Sequence, residues 1–234
     1  MLTDIFNESL QLIVSLDPSL RSVIVLTLKM TFFSLLIGGS FGLMLGTIPA
    51  LFRFPGRKLY LSLLHACMGL PPVVIGLVLY LLLSQSGPLG FLQLLYTPAA
   101  MIIAQSILIT PIVAALTANL MDHMWEEYRD HWHSFNLSPW QRIWQMLIEA
   151  RFALVGILLA GLGRSLSEVG AVMIVGGNIA DHTRVMTTAI VLETAKGELA
   201  LALSLGILLV LFAMTLNVLL LQLKAQHATR MLTE

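Results

Sequence analysis

Long apolar runs alternate with short polar links along most of this chain. Five of the runs are long enough to cross the roughly 30 Å hydrocarbon core of a bilayer, which takes about 20 helical residues. The pattern therefore predicts an all-α, polytopic bundle of about five transmembrane helices. The five runs cover approximately residues 22–51, 59–83, 98–120, 152–175 and 199–223.

The composition supports a membrane protein. Hydrophobic residues make up 57% of the 234 residues and charged residues only 11%, whereas a soluble domain is typically about one quarter charged. The formal net charge is zero, so nothing indicates a nucleic-acid partner. The one cysteine, Cys67, lies inside an apolar run and argues against both a disulfide and a thiolate metal site.

Basic residues favour one side of the predicted bundle. By the positive-inside rule that side is cytoplasmic, which places the N-terminus outside and the C-terminus inside. The other side has an uncharged link, 85–97, and a link that contains Arg184 and Lys196. The basic residues of the cytoplasmic side are Arg53, Arg57, Lys58, Arg129, Arg142, Lys224 and Arg230.

The first 20 residues form a separate N-terminal segment. Apolar residues near helical spacing alternate there with polar ones, and Asp17-Pro18 ends the run because a residue before proline avoids the helical region. We expect an amphipathic segment on the outer surface; a simple lead-in to the first span is the alternative. The transmembrane domain then covers 21–224, and 225–234 form a cytoplasmic tail.

Prolines predict kinks in two of the spans. Pro71 and Pro72, near the centre of the second span, remove two backbone donors and clash with the preceding turn; Pro111 repeats the signal in the third span. Lipid tolerates a broken helix only where protein or a water-filled cavity satisfies the freed carbonyls. The kinks therefore either line a pathway or pack against neighbouring helices, and the sequence leaves both interpretations open.

The polar link 122–148 indicates two helices joined by a tight turn. All four tryptophans fall in it, and tryptophan prefers the headgroup level of a membrane. Ser138-Pro139 is a typical helix start, and Asn136 tolerates the left-handed conformation that ends a preceding helix. We expect an elbow with its turn at 135–137; an ordinary interfacial loop is the alternative. The apolar stripe of the second helix consists of Trp140, Ile143, Trp144, Leu147 and Ile148.

Two charges lie in the middle of the fourth run. Arg164 and Glu168 are four residues apart, on one face of a continuous helix, and each costs about 2.5–3.5 kcal/mol at the centre of a bilayer. Charges at that depth mark a functional site by default, and an ion pair that holds helices together is the structural alternative. Gly176, Gly177 and Asn178 end the run with residues that adopt special backbone angles.

The sequence shows no machinery for catalysis. It contains no P-loop, no H-E-x-x-H and no nucleophile elbow. A membrane anchor of a redox complex would need two facing histidines inside spans, and only His65 is available. An intramembrane enzyme would need a catalytic pair, for which Arg164 and Glu168 are poor candidates because arginine stays charged. We therefore expect a non-enzymatic membrane protein without a metal site or a cofactor of its own.

The elbow and the fourth span resemble a known family. The elbow resembles the cytoplasmic coupling loop of type I ABC importer permeases, whose pattern is E-A-A-x-x-x-G. Asp130 takes the place of the glutamate, His131-Trp132 that of the alanines and Asn136 that of the glycine. The runs GRSLSEVGAVMIVGGN, TRVMTTAI and LPPVVIGLVLYLLLSQSGPLG are similar to the tungstate-type permeases of that family, and the similarity extends over all five spans.

This resemblance implies the permease subunit of an ATP-driven oxyanion importer, with tungstate as the first expectation and molybdate, sulfate or another small solute as alternatives. It implies a homodimer in a bacterial or archaeal inner membrane, cytoplasmic ATPase subunits that carry ATP and Mg²⁺, and an external solute-binding protein. The residues implied in ATPase coupling are Asp130, Phe135, Asn136, Leu137 and Ser138. Those implied in the translocation path or gate are Arg164, Glu168, Gly176, Gly177 and Asn178, with Lys29 as a further charge that can compensate a dianion.

Overall fold

The structure is a computed structural model that describes residues 2–15, 18–52, 54–134 and 138–231. Within those ranges helices are the only regular secondary structure, which confirms the predicted all-α class. A 3₁₀ turn at Gly90–Leu92 accompanies the α-helices. These are α1 (Leu2–Ser15), α2 (Pro18–Leu51), α3 (Arg57–Met68), α4 (Pro72–Leu83), α5 (Pro98–Ser134), α6 (Pro139–Glu149), α7 (Arg151–Leu166), α8 (Gly170–Gly176), α9 (Met186–Lys196) and α10 (Leu199–Met231).

The described residues provide three to five candidate membrane spans. Leu20–Ala50 of α2, Pro98–Tyr128 of α5 and Leu199–Val218 of α10 are each long and apolar enough to cross a bilayer alone. Two further crossings require that a bent pair of helices counts as one span. These pairs are α3 with α4, bent by 94°, and α6 with α7, bent by 74°. The chain is therefore a multi-pass membrane protein.

The second predicted span is two helices rather than one. The chain turns through 94° between α3 and α4, at the position of Pro71 and Pro72. Pro72 opens α4, where a missing N–H leaves no helical hydrogen bond unmade. Pro111 behaves differently, because α5 continues through it as one helix.

The fourth predicted span, 152–175, is also divided, and the expectation of one continuous helix is wrong. α7 ends before Glu168 and α8 begins after it. The Glu168 carboxylate accepts a hydrogen bond from the Ala171 amide at 3.0 Å, and its carbonyl accepts one from the Thr187 hydroxyl at 2.8 Å. These bonds satisfy groups that a continuous helix would have paired internally, so they stabilise the break.

Backbone proximity divides the chain into two compact units. Segments of α2, α5, α7 and α10 belong to both units. The first unit consists of Met1–Ser34, Pro71–Gln105 and Gly163–Thr215, and the second of Leu35–Leu70, Ser106–Leu162 and Leu216–Glu234.

In the first unit, a buried apolar cluster joins α2, α9 and α10. Ser9 of α1 is fully buried, and its hydroxyl lies 2.9 Å from the Ala200 carbonyl of α10. Phe6 and Val14 of α1 remain exposed, and the position of this amphipathic segment on the outer membrane surface stays a prediction. The cluster consists of Leu20, Val23, Met186, Ala189 and Leu205.

In the second unit, α2 packs closely against α5 through glycines at every fourth residue, Gly38, Gly42 and Gly46. A Cβ atom on Gly42 would lie 2.6 Å from the Cβ of Val113, and one on Gly46 would lie 2.5 Å from the Ala114 carbonyl oxygen. Real Cβ atoms do not approach other atoms so closely. Only glycine therefore permits this backbone contact, which is typical of membrane helix pairs.

Candidate functional site

α5 and α6 lie on either side of the predicted elbow turn. The turn itself, at Phe135, Asn136 and Leu137, falls outside the described residues. Asp130 belongs to the C-terminal end of α5. A long helix therefore precedes the predicted turn and a short helix follows it, as the polar link predicts.

Ser138 starts α6 with a reciprocal pair of capping hydrogen bonds. The Gln141 amide donates to Ser138 Oγ at 3.3 Å, and the Ser138 amide donates to Gln141 Oε1 at 2.9 Å. Pro139 occupies the first helical position, where no amide donor is needed. The helix start matches the prediction, and the S-x-x-Q spacing was an additional signal for it.

α6 is amphipathic, but its tryptophans do not face the core. Ile143 and Met146 are only 5% and 1% exposed, whereas Trp140 and Trp144 are 71% and 62% exposed. Leu147 is partly buried against the core cluster of the second unit. The predicted stripe is therefore divided: Ile143 and Leu147 pack inward together with Met146, which was not part of the stripe, whereas Trp140, Trp144 and Ile148 are exposed.

The exposed side of α6 forms a surface of mixed chemistry. Trp140, Gln141, Trp144 and Gln145 line a cavity of about 590 Å³ there. Indole rings combine a large apolar area with a polar N–H, and aromatic side chains are enriched at protein interfaces. Two amide side chains beside two indoles therefore suit contact with another protein as well as contact with lipid headgroups.

α6 joins α7 without a flexible linker. The Ala150 amide donates to the Met146 carbonyl at 2.8 Å, and the Leu154 amide donates to the Ala150 carbonyl at 2.9 Å. Helical hydrogen bonding therefore continues on both sides of the 74° bend. No loop therefore separates α6 from α7.

Arg164 and Glu168 approach each other, but not along one helix. Arg164 lies in the last turn of α7, and its Nη2 is 3.9 Å from Oε2 of Glu168 in the break. Their side chains are 35% and 5% exposed, respectively. The predicted arrangement on a single helix face is wrong, because the hydrogen bonds of Glu168 to Ala171 and Thr187 hold that residue outside α7. The carboxylate is nearly inaccessible and accepts a hydrogen bond from the Ala171 amide, whereas the guanidinium keeps an accessible surface.

α8 packs against α4 at backbone distance. A Cβ atom on Gly76 would lie 2.8 Å from the Cα of Ala171, and one on Gly170 would lie 2.7 Å from Cγ2 of Val73. α4 begins at the break of the second predicted span, and α8 begins at the break of the fourth. The helices that follow the two breaks therefore pack against each other within the first unit.

Gly176, Gly177 and Asn178 form a tight turn at the end of α8. Gly177 and Asn178 have φ angles of 70° and 51°, and a Cβ atom on Gly176 would lie 2.7 Å from the sulfur of Met101. Asn178 Nδ2 donates to the Thr188 carbonyl at 3.5 Å, and its Oδ1 is buried without a partner in the described part of the chain. The special backbone angles expected at this turn are therefore present.

Sequence reasoning missed a buried polar chain in the first unit. Gln105 is 4% exposed; its Oε1 accepts from the Ser34 hydroxyl at 2.8 Å, and its Nε2 donates to the Ser165 carbonyl at 3.3 Å. Ser165 is the neighbour of Arg164 in α7. A glutamine inside an otherwise apolar run was the available signal, because buried amides join membrane helices by hydrogen bonds.

A second missed group is the carboxylate of Glu193 in α9. It is 5% exposed and accepts two hydrogen bonds from the Lys196 ammonium, at 3.0 and 3.2 Å. Arg184 Nη1 lies 3.9 Å from the same carboxylate. The sequence places Glu193 in a polar link, and nothing in that pattern distinguishes a buried carboxylate from a solvated one.

Comparison with known proteins identifies relatives over almost the whole chain. The family model described as binding-protein-dependent transport system inner membrane component matches residues 38–232. The tungstate uptake system permease protein TupB of Campylobacter jejuni is 40% identical over 214 residues, covering 92% of this chain and 90% of that protein. TupB of Peptoclostridium acidaminophilum is 36% identical over 212 residues, covering 91% and 93%. The sulfate transport system permease protein CysW of a Synechocystis species is 28% identical over 211 residues, covering 87% and 76%.

Proposed function

Because the chain belongs to the family of binding-protein-dependent transport system inner membrane components, we propose that it is the permease subunit of an ATP-driven importer for tungstate. The observation that supports tungstate as the cargo is the similarity to two tungstate uptake permeases over nearly the full length of each protein. The multi-pass helical fold and the exposed side of α6 support the permease role.

The energy for transport comes, in this proposal, from ATPase subunits on separate chains. Those subunits hold ATP and Mg²⁺ and contact the elbow, through Asp130, residues 135–137, Ser138 and the exposed side of α6. Closure of the ATPase subunits displaces α6, and the hydrogen-bonded joint at Ala150 transmits the displacement to α7. This chain then supplies the path and the lever, and it binds no nucleotide itself.

The path for the oxyanion belongs, in this proposal, to a homodimer with the N-terminus outside and the C-terminus in the cytoplasm. A dianion in a low-dielectric environment needs compensating charges or dipoles. Arg164 supplies an accessible charge, and residues 176–178 supply backbone groups in a tight turn, while Glu168 holds the break in place. Few cations along the path favour passage without tight binding, so that an external binding protein sets selectivity.

Reconstitution tests the proposal. The permease is incorporated into proteoliposomes with its ATPase subunits, the ligand-loaded binding protein is added outside, and uptake of tungstate is followed with and without ATP. We expect that uptake requires ATP and both partners. We also expect that equilibrium dialysis of the isolated permease detects no micromolar binding of tungstate. Absence of ATP-dependent tungstate uptake refutes the function, and micromolar affinity refutes passage without tight binding.

Sulfate is the second candidate cargo. The similarity to the sulfate permease CysW, which extends over 87% of this chain, is the specific observation in its favour. Competition separates the two cargoes in the same proteoliposomes. If tungstate is the cargo, excess unlabelled tungstate abolishes the uptake of labelled tungstate, whereas equimolar sulfate leaves most of that uptake. The reverse result assigns sulfate.

A further inference from the structure

A cation-lined cavity lies between the beginning of α2 and the turn that precedes α9. Its volume is about 520 Å³, within the range of small-ligand sites. Three cations and one carboxylate give its lining a net charge of +2. The lining residues are Arg21, Ser22, Val25, Leu26, Lys29, Asp181 and Arg184.

The two walls of this cavity are fixed to each other by hydrogen bonds. The Ser22 hydroxyl donates to Oδ1 of Asp181 at 3.2 Å. Deeper in the structure, the amide of Met186 donates to the buried Thr27 hydroxyl at 2.9 Å. The cavity is therefore a feature of the folded first unit, and the one carboxylate that lines it is already engaged by a neighbour.

The cations of the cavity keep unused binding capacity. Arg21 and Lys29 are exposed and form no hydrogen bond or ion pair within the described ranges. Arg184 is half-buried, and its Nε is a buried donor without a partner in those ranges. Glu193, 3.9 Å from Arg184, is shared with Lys196 at 3.0 Å. The charges of Glu193 and Lys196, which lie outside the lining, cancel each other. The net charge of the lining therefore remains +2.

We propose that this cavity receives a free tetrahedral oxyanion dianion on the outer side of the membrane, before the anion enters the translocation path. The inference rests on the proposed function, which supplies the cargo and places the beginning of α2 outside. A lining of +2 complements a dianion, and a concave cationic surface raises the local concentration of anions. The cavity exceeds a single tetrahedral ion in size, so the anion retains part of its hydration and leaves again readily.

The phosphate of a lipid headgroup has the same tetrahedral anionic chemistry, and so do acidic groups on a docking protein. The test must therefore separate three occupants. Arg21→Gln and Lys29→Gln each remove one exposed charge without disturbing the hydrogen bonds of Asp181 or Met186. Lys58→Gln is the matched control, because Lys58 is an exposed lysine of the second unit outside the cavity. Arg184 is left intact, because its contacts to Glu193 and Asn178 make it part of the fold.

The experiment measures tungstate uptake per ATP hydrolysed, and the ATPase rate stimulated by the loaded binding protein, in proteoliposomes of phosphatidylcholine and of phosphatidylglycerol. A unit cation about 5 Å from a dianion in water, screened by physiological salt, changes occupancy by about fivefold. We expect each cavity variant to lower uptake per ATP by about that factor in both lipids, with the stimulated ATPase rate unchanged. Lys58→Gln is expected to change neither quantity.

Several outcomes would overturn the inference while leaving the proposed function intact. Uptake per ATP that is unaffected by both cavity variants shows that the cavity receives no cargo. A parallel fall in the stimulated ATPase rate assigns the cations to docking of the binding protein. A variant effect confined to phosphatidylglycerol assigns them to lipid phosphate. Failure of the unaltered importer to take up tungstate in either lipid instead refutes the proposed function, and the inference with it.

Discussion

The close packing of α4 on α8 allows a sharp test of the broken-span architecture. In Gly76→Ala, the added Cβ would lie 2.8 Å from the Cα of Ala171 and 3.2 Å from its carbonyl oxygen. Both distances are shorter than an ordinary van der Waals contact of 3.4–4 Å. Both atoms belong to backbone, so the helices must move apart. Overpacking of this kind costs about 1–3 kcal/mol, and the helix-forming advantage of alanine offsets about 0.5–1 kcal/mol of it.

The net loss is at most about 2.5 kcal/mol and is centred near 1 kcal/mol, which corresponds to a fall in the apparent melting temperature of about 2–4 °C, and of no more than about 10 °C, for a chain of this size. The assay heats detergent-solubilised permease and measures the fraction that stays monodisperse in size-exclusion chromatography. Gly206→Ala is the matched control, because no atom lies within 4 Å of a Cβ at Gly206; it is expected to hold or raise the midpoint. Equal midpoints for the two variants, or a more stable Gly76→Ala, would refute the packing argument.

Three further predictions concern the elbow and the charged pair. Ser138→Ala removes one half of the capping box, costs α6 about 1 kcal/mol and is expected to weaken a pull-down of the ATPase subunits; a loss equally large in Ser138→Asn, which keeps a cap, would rule out capping as the cause. Asn136→Ile is expected to uncouple ATP hydrolysis from uptake, because a β-branched residue resists positive φ; unchanged uptake per ATP would count against a turn of that conformation. Arg164→Ala is expected to reduce uptake more than assembly, and disappearance of the dimer in size-exclusion chromatography would instead show that Arg164 is structural.

The length of the apolar runs made the long helices predictable. The apolar runs give the positions of α2, α5 and α10 to within a few residues, except that α5 and α10 continue well past the ends predicted for their spans, to Ser134 and Met231. Pro71-Pro72 and Ser138-Pro139 locate helix starts because proline fixes its own φ and needs no amide partner in the first turn. These signals are local in sequence, so they can be read without knowing which helices pack together in the fold.

The break at Glu168 was not predictable in the same way. The residues around it include Arg164, Ser167 and Gly170 but no proline, and they lie within a run whose overall apolar pattern favours one continuous helix. The hydrogen bond from the Thr187 hydroxyl to the Glu168 carbonyl joins residues 19 positions apart. The direction of α6 has a similar origin, because Trp140 and Met146 can both occupy an apolar face and only the shape of the partner surface decides between them. At Glu168, tertiary contacts overrode the periodicity; in α6, they selected which apolar residues of the helix are buried.

We propose different roles for Glu168 and Arg164, which the sequence left open. Glu168 is nearly inaccessible and is bonded to the amide of Ala171, so its carboxylate stabilises the start of α8 in the manner of a helix cap. Arg164 lies at the limit of an ion pair with it, at 3.9 Å, and about a third of its side chain is exposed. A strong structural pair would bury both partners and bring them within hydrogen-bond distance. In this proposal, Glu168 is a structural carboxylate and Arg164, which is partly exposed, is the cation that meets an anion.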